Sequence, residues 1–180
     1  MFQHGVGDFK YFVGIHTLEQ IATLDDRICV LNILGGESSA VTPVSHSFSG
    51  GNIVFGTSPG KQGQTLKTAA GEVPVYNNVR EGIKAGHEFN TGVVYLPPAA
   101  VRDGVAELIR VNPQLKKIII VTEKVAVHDA REIRAMAQQA GVDIFGANCL
   151  GVADSWNRVR IGGALGGDAP EESLLKGSVA

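Results

Sequence analysis

The sequence predicts an α/β fold: a doubly wound, mostly parallel sheet with helices on both faces. Two observations support this prediction. Five short runs rich in Val and Ile are nearly continuous in apolar residues, which is typical of strands buried on both faces. Helical segments separate these runs, and such alternation indicates right-handed crossovers between parallel strands. The predicted strands are Ile28 to Leu34, Asn52 to Phe55, Gly92 to Leu96, Lys117 to Val121 and Val142 to Phe145.

Three segments between the strands carry helical patterns. Asn77 to Ile83 opens with asparagine, a residue that caps helix N-termini. Pro98 to Val111 and Asp129 to Ala140 place apolar residues at helical spacing and charged residues elsewhere on the surface. Gly141 is expected to end the third helix at the C′ position, and a further helix containing Pro43 should follow the first strand.

The segments outside this alternation divide the chain into two parts. Residues 1–25 form a predicted N-terminal extension with a short helix at Leu18 to Ala22, and residues 26–180 form one domain. Thr57 to Gly71 is predicted to be a polar loop, and Arg158 to Gly162 a further strand. A glycine-rich and then acidic stretch follows. Val179-Ala180 resembles the start of another strand, which indicates a domain cut before a second one.

Composition and charge exclude several classes of protein. The 180 residues are 44% hydrophobic and 19% charged, so the chain is neither disordered nor fibrous. A net charge of −2 excludes the basic field of a non-specific nucleic-acid binder. No apolar run approaches about 18 residues and the start lacks a signal-peptide pattern, so no membrane partner is expected. Two cysteines are too few for a disulfide framework, and a cytoplasmic location is expected.

Glycine makes up 23 of the 180 residues, well above the usual share of about 7%. The first glycine-rich turn, Gly35-Gly36-Glu37-Ser38-Ser39, directly follows the first strand. Glycines there let the backbone approach a phosphate, and the next helix offers free N–H groups and a positive dipole end. The G-x-G-x-x-G fingerprint is absent, so a simple tight turn is an equal alternative.

A second loop, Thr57 to Thr65, follows the second strand and contains Lys61 as its only cation. In a doubly wound sheet this loop lies at the same carboxyl edge as the glycine turn, where a lysine can neutralise a nucleotide phosphate. The acidic residue that reads a ribose hydroxyl in dinucleotide-binding folds is missing after Val54-Phe55-Gly56, which argues against a nicotinamide cofactor. A solvated surface loop is the alternative interpretation.

Later strand ends place further polar groups at that edge. One strand ends in Val121-Thr122-Glu123, and another runs into Asn148-Cys149. Several polar ends at one edge favour a ligand site over coincidental turns, although a buried thiol is an alternative for the cysteine. Cys29 is expected to be a small core residue, and His46 an ordinary surface or helix residue. The five histidines and two cysteines lack metal-ligand spacing, so no metal site is predicted.

Five segments carry a resemblance to a known family. They are Phe55 to Thr65, Val73 to Glu81, Tyr95 to Pro98, Ile120 to Glu123 and Gly146 to Gly151. In this order and spacing they resemble the CoA-binding domain of the succinyl-CoA synthetase α subunit, over about Ile28 to Ile161. The wider family is the nucleoside-diphosphate-forming acyl-CoA synthetases, which includes ATP-citrate lyase and citryl-CoA synthetase. The long glycine stretch from Gly162 is closer to the citrate branch.

The resemblance implies a Rossmann-like fold that binds CoA without a nicotinamide. It assigns the glycine turn to the CoA diphosphate, the lysine loop to a CoA phosphate, one strand end to the CoA groove and the asparagine–cysteine pair to the pantetheine arm. The residues implied, in this order, are Gly35, Gly36, Glu37 and Ser38; Lys61; Val121, Thr122 and Glu123; Asn148 and Cys149. The family's first loop usually reads threonine-glycine-serine-glutamine-glycine, so the acidic residue is a departure, and its carboxylate must turn away from a diphosphate.

The resemblance also implies a reaction and partners. The chain is expected to be the CoA-binding domain of an ATP-dependent acyl-CoA ligase, with a nucleotide-binding β-type subunit or domain and a second α-type domain that carries a phosphohistidine. The CoA thiol attacks an acyl phosphate in such enzymes, and this domain contributes by positioning CoA. No histidine here matches the phosphorylated one, and no catalytic residue is predicted. A free-standing, non-catalytic CoA- or nucleotide-binding module is the alternative, and an NAD-dependent oxidoreductase is a third.

Overall fold

The computed structural model describes residues 2–6, 9–13, 21–163 and 167–175. These residues form a seven-stranded sheet, two separate two-stranded sheets, α-helices and a 3-10 turn at Pro98–Ala100. The strands are β1 (Phe2–Val6), β2 (Phe9–Val13), β3 (Ile28–Leu31), β4 (Ile53–Thr57), β5 (Thr65–Thr68), β6 (Gly71–Tyr76), β7 (Thr91–Val94), β8 (Lys117–Ile120), β9 (Asp143–Phe145), β10 (Val152–Asp154) and β11 (Val159–Ile161). The helices are α1 (Gly36–Phe48), α2 (Val79–Lys84), α3 (Val101–Val111), α4 (Val127–Ala140) and α5 (Pro170–Ser173).

The seven-stranded sheet has the order β5-β6-β4-β3-β7-β8-β9. Every neighbouring pair is parallel except β5 and β6, which are antiparallel at one edge. Numbered along the chain, the six parallel strands lie in the order third, second, first, fourth, fifth, sixth, as in doubly wound nucleotide-binding folds. The predicted fold class is confirmed. The order reverses between β3 and β7, and such folds bind ligands beyond the carboxyl ends of the strands at this switch point.

Different kinds of element cover the two faces of the sheet. Helices α2, α3 and α4 pack on one face, where Phe55, Leu108 and Ile118 are fully buried. Helix α1 and the antiparallel hairpin of β10 and β11 cover the other face, where Ile161 is fully buried. Every residue of β3, β7 and β8 is therefore buried, which explains why these strands are mostly apolar in the sequence.

A buried ion pair lies at the amino edge of the sheet. Lys117, at the start of β8, donates to Oδ1 of Asp26 at 2.6 Å and to the carbonyl oxygen of Ile21 at 2.5 Å. Burial lowers the pKa of Lys117, and the neighbouring Asp26 opposes that shift. The pair holds the segment before β3 against β8, at the end of the sheet away from the switch point.

The predicted strands agree with the structure in kind and differ at their boundaries. The first strand ends at Leu31 rather than Leu34, because residues 32–35 turn into α1. The prediction of a loop from Thr57 to Gly71 is wrong in part, since Thr65–Thr68 form β5. The sequence also gives no clear indication of β6, because Pro74 lies inside it and proline is rare within sheets.

The predicted start of α2 and the predicted end of α4 are confirmed. Asn78 occupies the N-cap of α2, and its side-chain oxygen accepts from the backbone N–H of Glu81 at 3.0 Å. Gly141 ends α4 in the left-handed conformation, with φ of 68°. Helix α4 starts at Val127, two residues before the predicted start.

The predictions near the chain ends have mixed outcomes. Arg158 to Gly162 contains the predicted strand, β11. In the predicted helix Leu18 to Ala22, residues 21 and 22 form a bend, and residues 18–20 lie outside the described residues. The predicted strand start at Val179-Ala180 also lies outside them. Among the residues that the structure describes, no helix has the length and apolar character needed to cross a membrane.

Candidate functional site

The loops that follow the parallel strands meet at the carboxyl edge of the sheet. The glycine turn follows β3, the lysine loop follows β4, and the later polar ends follow β8 and β9. Neighbouring strands lie about 4.8 Å apart, so the four steps from β4 to β9 separate the outermost loops by about 19 Å. The candidate site is therefore elongated rather than a compact pocket.

The two glycines of the glycine turn have different roles. The backbone N–H of Gly35 donates to the carbonyl of Asn32 at 2.9 Å, and a Cβ on Gly35 would lie 2.6 Å from the Asn32 side-chain nitrogen. A larger residue therefore does not fit there. A Cβ on Gly36 would meet nothing within 4 Å. The protein itself does not require glycine at this second position, but a ligand that approaches the backbone would.

Helix α1 begins with an open first turn. Gly35 at the N-cap provides no side-chain hydrogen bond, so the first N–H groups lack intrahelical partners and present the positive end of the helix dipole. Ser38 is buried, and its hydroxyl donates back to the carbonyl of Asn32, so it holds the turn from within. Glu37 is exposed at the second helical position, which allows its carboxylate to remain in solvent.

Tyr95 joins the ends of strands at the switch point. Its carbonyl accepts from the Asn32 side-chain amide at 3.0 Å, which connects the end of β3 to the end of β7. Its hydroxyl accepts from the backbone N–H of Gly163 at 2.7 Å. Burial raises the pKa of Tyr95 to about 12, and the carboxylate of Glu37 adds to this rise. The hydrogen bond from Gly163 and the charge of Arg160 oppose this rise.

Hydrogen bonds anchor the lysine loop to the segment before the glycine turn, to β6 and to Asn77. Ser58 is buried, and its hydroxyl accepts from the backbone N–H of Leu34, just before the glycine turn, at 3.1 Å. The backbone N–H of Gly60 donates to Oδ1 of Asn77 at 2.9 Å. Lys61 is exposed, and the described residues supply no ion pair or hydrogen bond to its ammonium group. The loop therefore presents a cation to solvent beside the glycine turn.

The end of β8 is bonded to the segments that follow both of its neighbours, β7 and β9. The Thr122 hydroxyl donates to the carbonyl of Leu96 at 2.7 Å, and the Thr122 carbonyl accepts from the N–H of Asn148 at 3.0 Å. The N–H of Cys149 donates to the carbonyl of Ile120 at 3.1 Å. The predicted residues here differ in exposure: Val121 is buried, Thr122 and Cys149 are partly buried, and Glu123 and Asn148 are exposed.

The predicted site residues thus form two groups along one edge. The glycine turn and the lysine loop form the first group, and the ends of β8 and β9 form the second. Four polar residues that connect these loops were not predicted as site residues, although each lies in or beside the carboxyl end of a strand. They are Asn32, Ser58, Asn77 and Tyr95. Their hydrogen-bond partners are distant in sequence. In the sequence, only their position at the carboxyl end of a strand indicated a role in the site.

A groove of about 570 Å³ lies between α4 and the edge strand β9. Its lining is mostly apolar and includes Val125, Ala130 and Ile144. It reaches Ala147, next to Asn148, but includes neither the glycine turn nor the lysine loop. The predicted site is therefore an open sheet edge, and this groove is a separate feature.

Two residues without a predicted site role are buried. Cys29 is a core residue, as predicted, and burial raises the pKa of its thiol. His46 lies on α1 but is only 5% exposed, so a surface position is wrong. Its Nδ1 accepts from the N–H of Ile53 at 3.0 Å, and burial lowers its pKa. Within the described part of the chain, no group of three or more His, Cys, Asp or Glu residues is placed to hold a metal ion.

The strand order and the open helix start at the switch point define a Rossmann-like nucleotide-binding class of domain. The sequence profile of the family described as CoA binding domain matches residues 34–124 of the 180. The matched segment contains the glycine turn, the lysine loop and the end of β8. The chain belongs to the CoA-binding domain family, and the predicted cofactor, CoA, is confirmed at the level of that family.

Characterised relatives include subunits of ADP-forming CoA ligases. The ADP-forming sulfoacetate-CoA ligase subunit SauD of Bilophila wadsworthia is 31% identical over 146 residues, which are 81% of this chain and 45% of that protein. The alpha subunit of the ADP-forming succinate–CoA ligase of Methanothermobacter thermautotrophicus is 31% identical over 128 residues, which are 71% of this chain and 41% of that protein. The chain spans less than half the length of these relatives.

A solved structure shares the fold. ATP citrate lyase from Methanothrix soehngenii, in complex with citrate and coenzyme A, matches 87% of this chain and 26% of that chain with a TM-score of 0.73. The sequence identity is 14%, so this match shows the fold alone.

Proposed function

We propose that this chain binds CoA along the carboxyl edge of its sheet and acts as the CoA-binding domain of an ADP-forming acid–CoA ligase. The strongest support for this proposal is the agreement of two independent findings. The family match covers residues 34–124, and the fold brings the glycine turn and the lysine loop within that segment to the switch point of the sheet.

The start of α1 suits the diphosphate of CoA. Its first N–H groups are open, and the space above Gly36 lets a phosphate approach the backbone closely. Gly35 and the buried Ser38 contribute by holding the turn. Glu37 is exposed, so its carboxylate can point away from the diphosphate.

The remaining site residues suit the two ends of an extended ligand. Lys61, which has no ion pair with any described residue, lies at one end and is assigned to a CoA phosphate. At the other end, the buried Val121 with Thr122 and Glu123 is assigned to the CoA groove. The pair Asn148-Cys149 is assigned to the pantetheine arm. A separation of about 19 Å between these ends fits a nucleotide with a long arm better than a compact metabolite.

The ligase reaction is assigned to a larger assembly. The characterised relatives are subunits of ADP-forming CoA ligases, and this chain spans less than half of them. We assign CoA binding to this chain. We assign phosphoryl transfer to two partners: a nucleotide-binding β-type subunit or domain, and a second α-type domain with a phosphohistidine. The contribution of this chain is to position the thiol for attack on an acyl phosphate. Both cysteines are free, which fits a cytoplasmic enzyme.

Thermal melting with CoA and with NAD tests the proposal. CoA at 100 times its dissociation constant should add about 2.7 kcal/mol to the free energy of unfolding, and NAD should add nothing. The Gly36→Ala variant should melt like the wild type without ligand, because a Cβ there meets open space, yet it should lose most of the CoA shift. A shift with NAD alone would favour an oxidoreductase instead, and no shift with CoA would contradict the proposal.

A further inference from the structure

We propose that Asn77 is a positioning residue: its side chain sets the backbone that carries Lys61, and thereby the cation that meets the CoA phosphate. This inference rests on the proposed function, because it assigns Lys61 to a phosphate of CoA. Asn77 follows β6, and in sequence it is 16 residues from the lysine that it is proposed to position.

The side chain of Asn77 bridges the two residues that flank the lysine. Its Oδ1 accepts from the backbone N–H of Gly60 at 2.9 Å. Its Nδ2 donates to Oε1 of Gln62 at 2.9 Å. One amide group thus holds both neighbours of Lys61, while the lysine side chain has no partner among the described residues.

Asn77 is itself held in place. Its backbone N–H donates to Oε2 of Glu81, in the first turn of α2, at 3.1 Å. Helix α2 packs on the buried core through Val79, which is fully buried. The contacts therefore connect a fixed helix to an exposed loop.

Without this bridge the two residues that flank the lysine lose their bonds outside the loop, although the ends of the loop stay bonded to β6. The Ser58 N–H donates to the Tyr76 carbonyl at 2.9 Å, and the Gly63 N–H donates to the Val75 carbonyl at 3.1 Å. Gly60 and Gly63 both have positive φ, 75° and 84°, so the loop depends on flexible glycine backbone around the lysine. The bonds within the turn are Lys61 N–H to the Ser58 carbonyl at 3.0 Å and Gln64 N–H to the Lys61 carbonyl at 3.2 Å. They close the turn on itself but do not fix it relative to α2.

A thermodynamic cycle tests the inference. CoA affinity is measured by calorimetric titration for the wild type, Asn77→Ala, Lys61→Ala and the double variant. Asn77→Ala should weaken CoA binding about three- to tenfold, the range expected for a small number of neutral hydrogen bonds. In the Lys61→Ala background the same change should have almost no effect, because the group being positioned is gone. Additive losses would overturn the inference, since they would mean that Asn77 acts on CoA independently.

A matched control uses a second asparagine with the same local chemistry. Asn90 lies just before β7, at the amino edge of the sheet; its side chain accepts from Arg27 N–H at 3.0 Å and donates to the Asp25 carbonyl at 2.9 Å. Asn90→Ala removes these two bonds and a third, from the Thr91 hydroxyl to the Asn90 Oδ1 at 2.9 Å, far from the site. It should leave CoA affinity unchanged, and an equal loss in both variants would contradict a positioning role for Asn77.

The salt dependence of CoA affinity distinguishes a weakened ionic contact from a loss of protein stability. Salt screens an ionic contact between Lys61 and a phosphate, so wild-type affinity should fall as salt rises. This dependence should be weaker in Asn77→Ala and in Lys61→Ala, but not in Asn90→Ala. An unchanged dependence in Asn77→Ala would overturn the inference.

Hydrogen exchange separates this inference from the proposed function. In the ligand-free protein, Asn77→Ala should speed exchange of the Gly60 amide, whose only described partner is Asn77, and Asn90→Ala should not. If exchange of the Gly60 amide is faster in Asn77→Ala but neither the wild type nor any variant binds CoA, the proposed function fails. The restraint of the loop by Asn77 would then still be supported. If CoA binds and the Gly60 amide is unaffected, the positioning role fails and the proposed function stands.

Discussion

Lys61 is the residue whose replacement should separate ligand affinity from stability. Lys61→Ala removes one charge-assisted hydrogen bond to a phosphate, so CoA affinity should fall about ten- to a hundredfold. Ligand-free stability should change by less than about 0.5 kcal/mol, because the side chain is exposed and unpaired within the described residues. Calorimetric titration under constant salt measures the affinity, and urea unfolding measures the stability.

Truncated ligands can identify the phosphate that Lys61 is proposed to contact. The loss on Lys61→Ala should shrink for dephospho-CoA or pantetheine if they lack the phosphate concerned. Equal CoA affinities for wild type and variant would show that the lysine is only a solvated loop residue, and that the match of this loop to the family is structural.

Tyr95 should make stability depend on pH in the alkaline range. Burial raises the pKa of its phenol from the usual 10.0 to about 12, so the folded state favours the neutral form. A pKa raised on folding gives stability that is fully present below the unfolded pKa and is lost as the pH rises through the folded pKa. This contribution is therefore intact below about pH 10 and disappears as the pH approaches and passes about 12.

Replacing the phenol tests that assignment. The chain has three tyrosines, and an absorbance titration of phenolate formation should show one that ionises late. Tyr95→Phe should remove this late step and reduce the loss of stability between about pH 10 and about pH 12. A late step that persists in the variant would assign the raised pKa to another tyrosine.

At the scale of the element, Gly82 in α2 shows packing overriding helix propensity. Alanine in place of glycine usually stabilises a helix interior by about 1 kcal/mol. A Cβ on Gly82 would lie 2.3 Å from a ring carbon of Phe55, which is fully buried. Gly82→Ala should therefore lower the free energy of unfolding by about 1–3 kcal/mol, as overpacked cores do. Urea unfolding measures the change, and a more stable variant would contradict the tight contact.

The strands illustrate the same dependence on neighbours. β3, β7 and β8 are buried on both faces, so they are mostly apolar and readily predicted. β5 and β6 form an exposed antiparallel edge in which Pro74 pairs with Thr65. A strand with one exposed side and an internal proline resembles a loop in sequence, and its pairing with β4 is a tertiary contact.

At the scale of the whole molecule, the chain alone should form no thioester. Three histidines have side chains that the structure describes, and each makes a contact within the fold: His46 accepts from Ile53, His87 bonds to the Tyr76 hydroxyl, and His128 pairs with Asp129. Incubation with ATP, CoA and succinate or citrate, followed by mass spectrometry, should show no acyl-CoA. A complete ligase of the same family is the positive control. Clear turnover by this chain would contradict the assignment of phosphoryl transfer to other domains.

The sequence by itself determined the class of fold and the edge at which the candidate site lies. Buried parallel strands require apolar residues on both faces, and glycine and polar residues collect where those strands end, so both patterns are local. The tertiary structure decided what each side chain at that edge does. Ser38 turns inward to hold Asn32, and Lys61 faces solvent, although both are polar loop or helix-start residues in sequence.

The physical reason is the distance along the chain between partners. The bond from Asn32 to Tyr95 spans 63 positions, and the one from Leu34 to Ser58 spans 24. Such contacts depend on strand order, which places β3 between β4 and β7, and a local pattern of residues contains no information about that order. The composition of the site could therefore be predicted from sequence, whereas its internal hydrogen bonding required the folded chain.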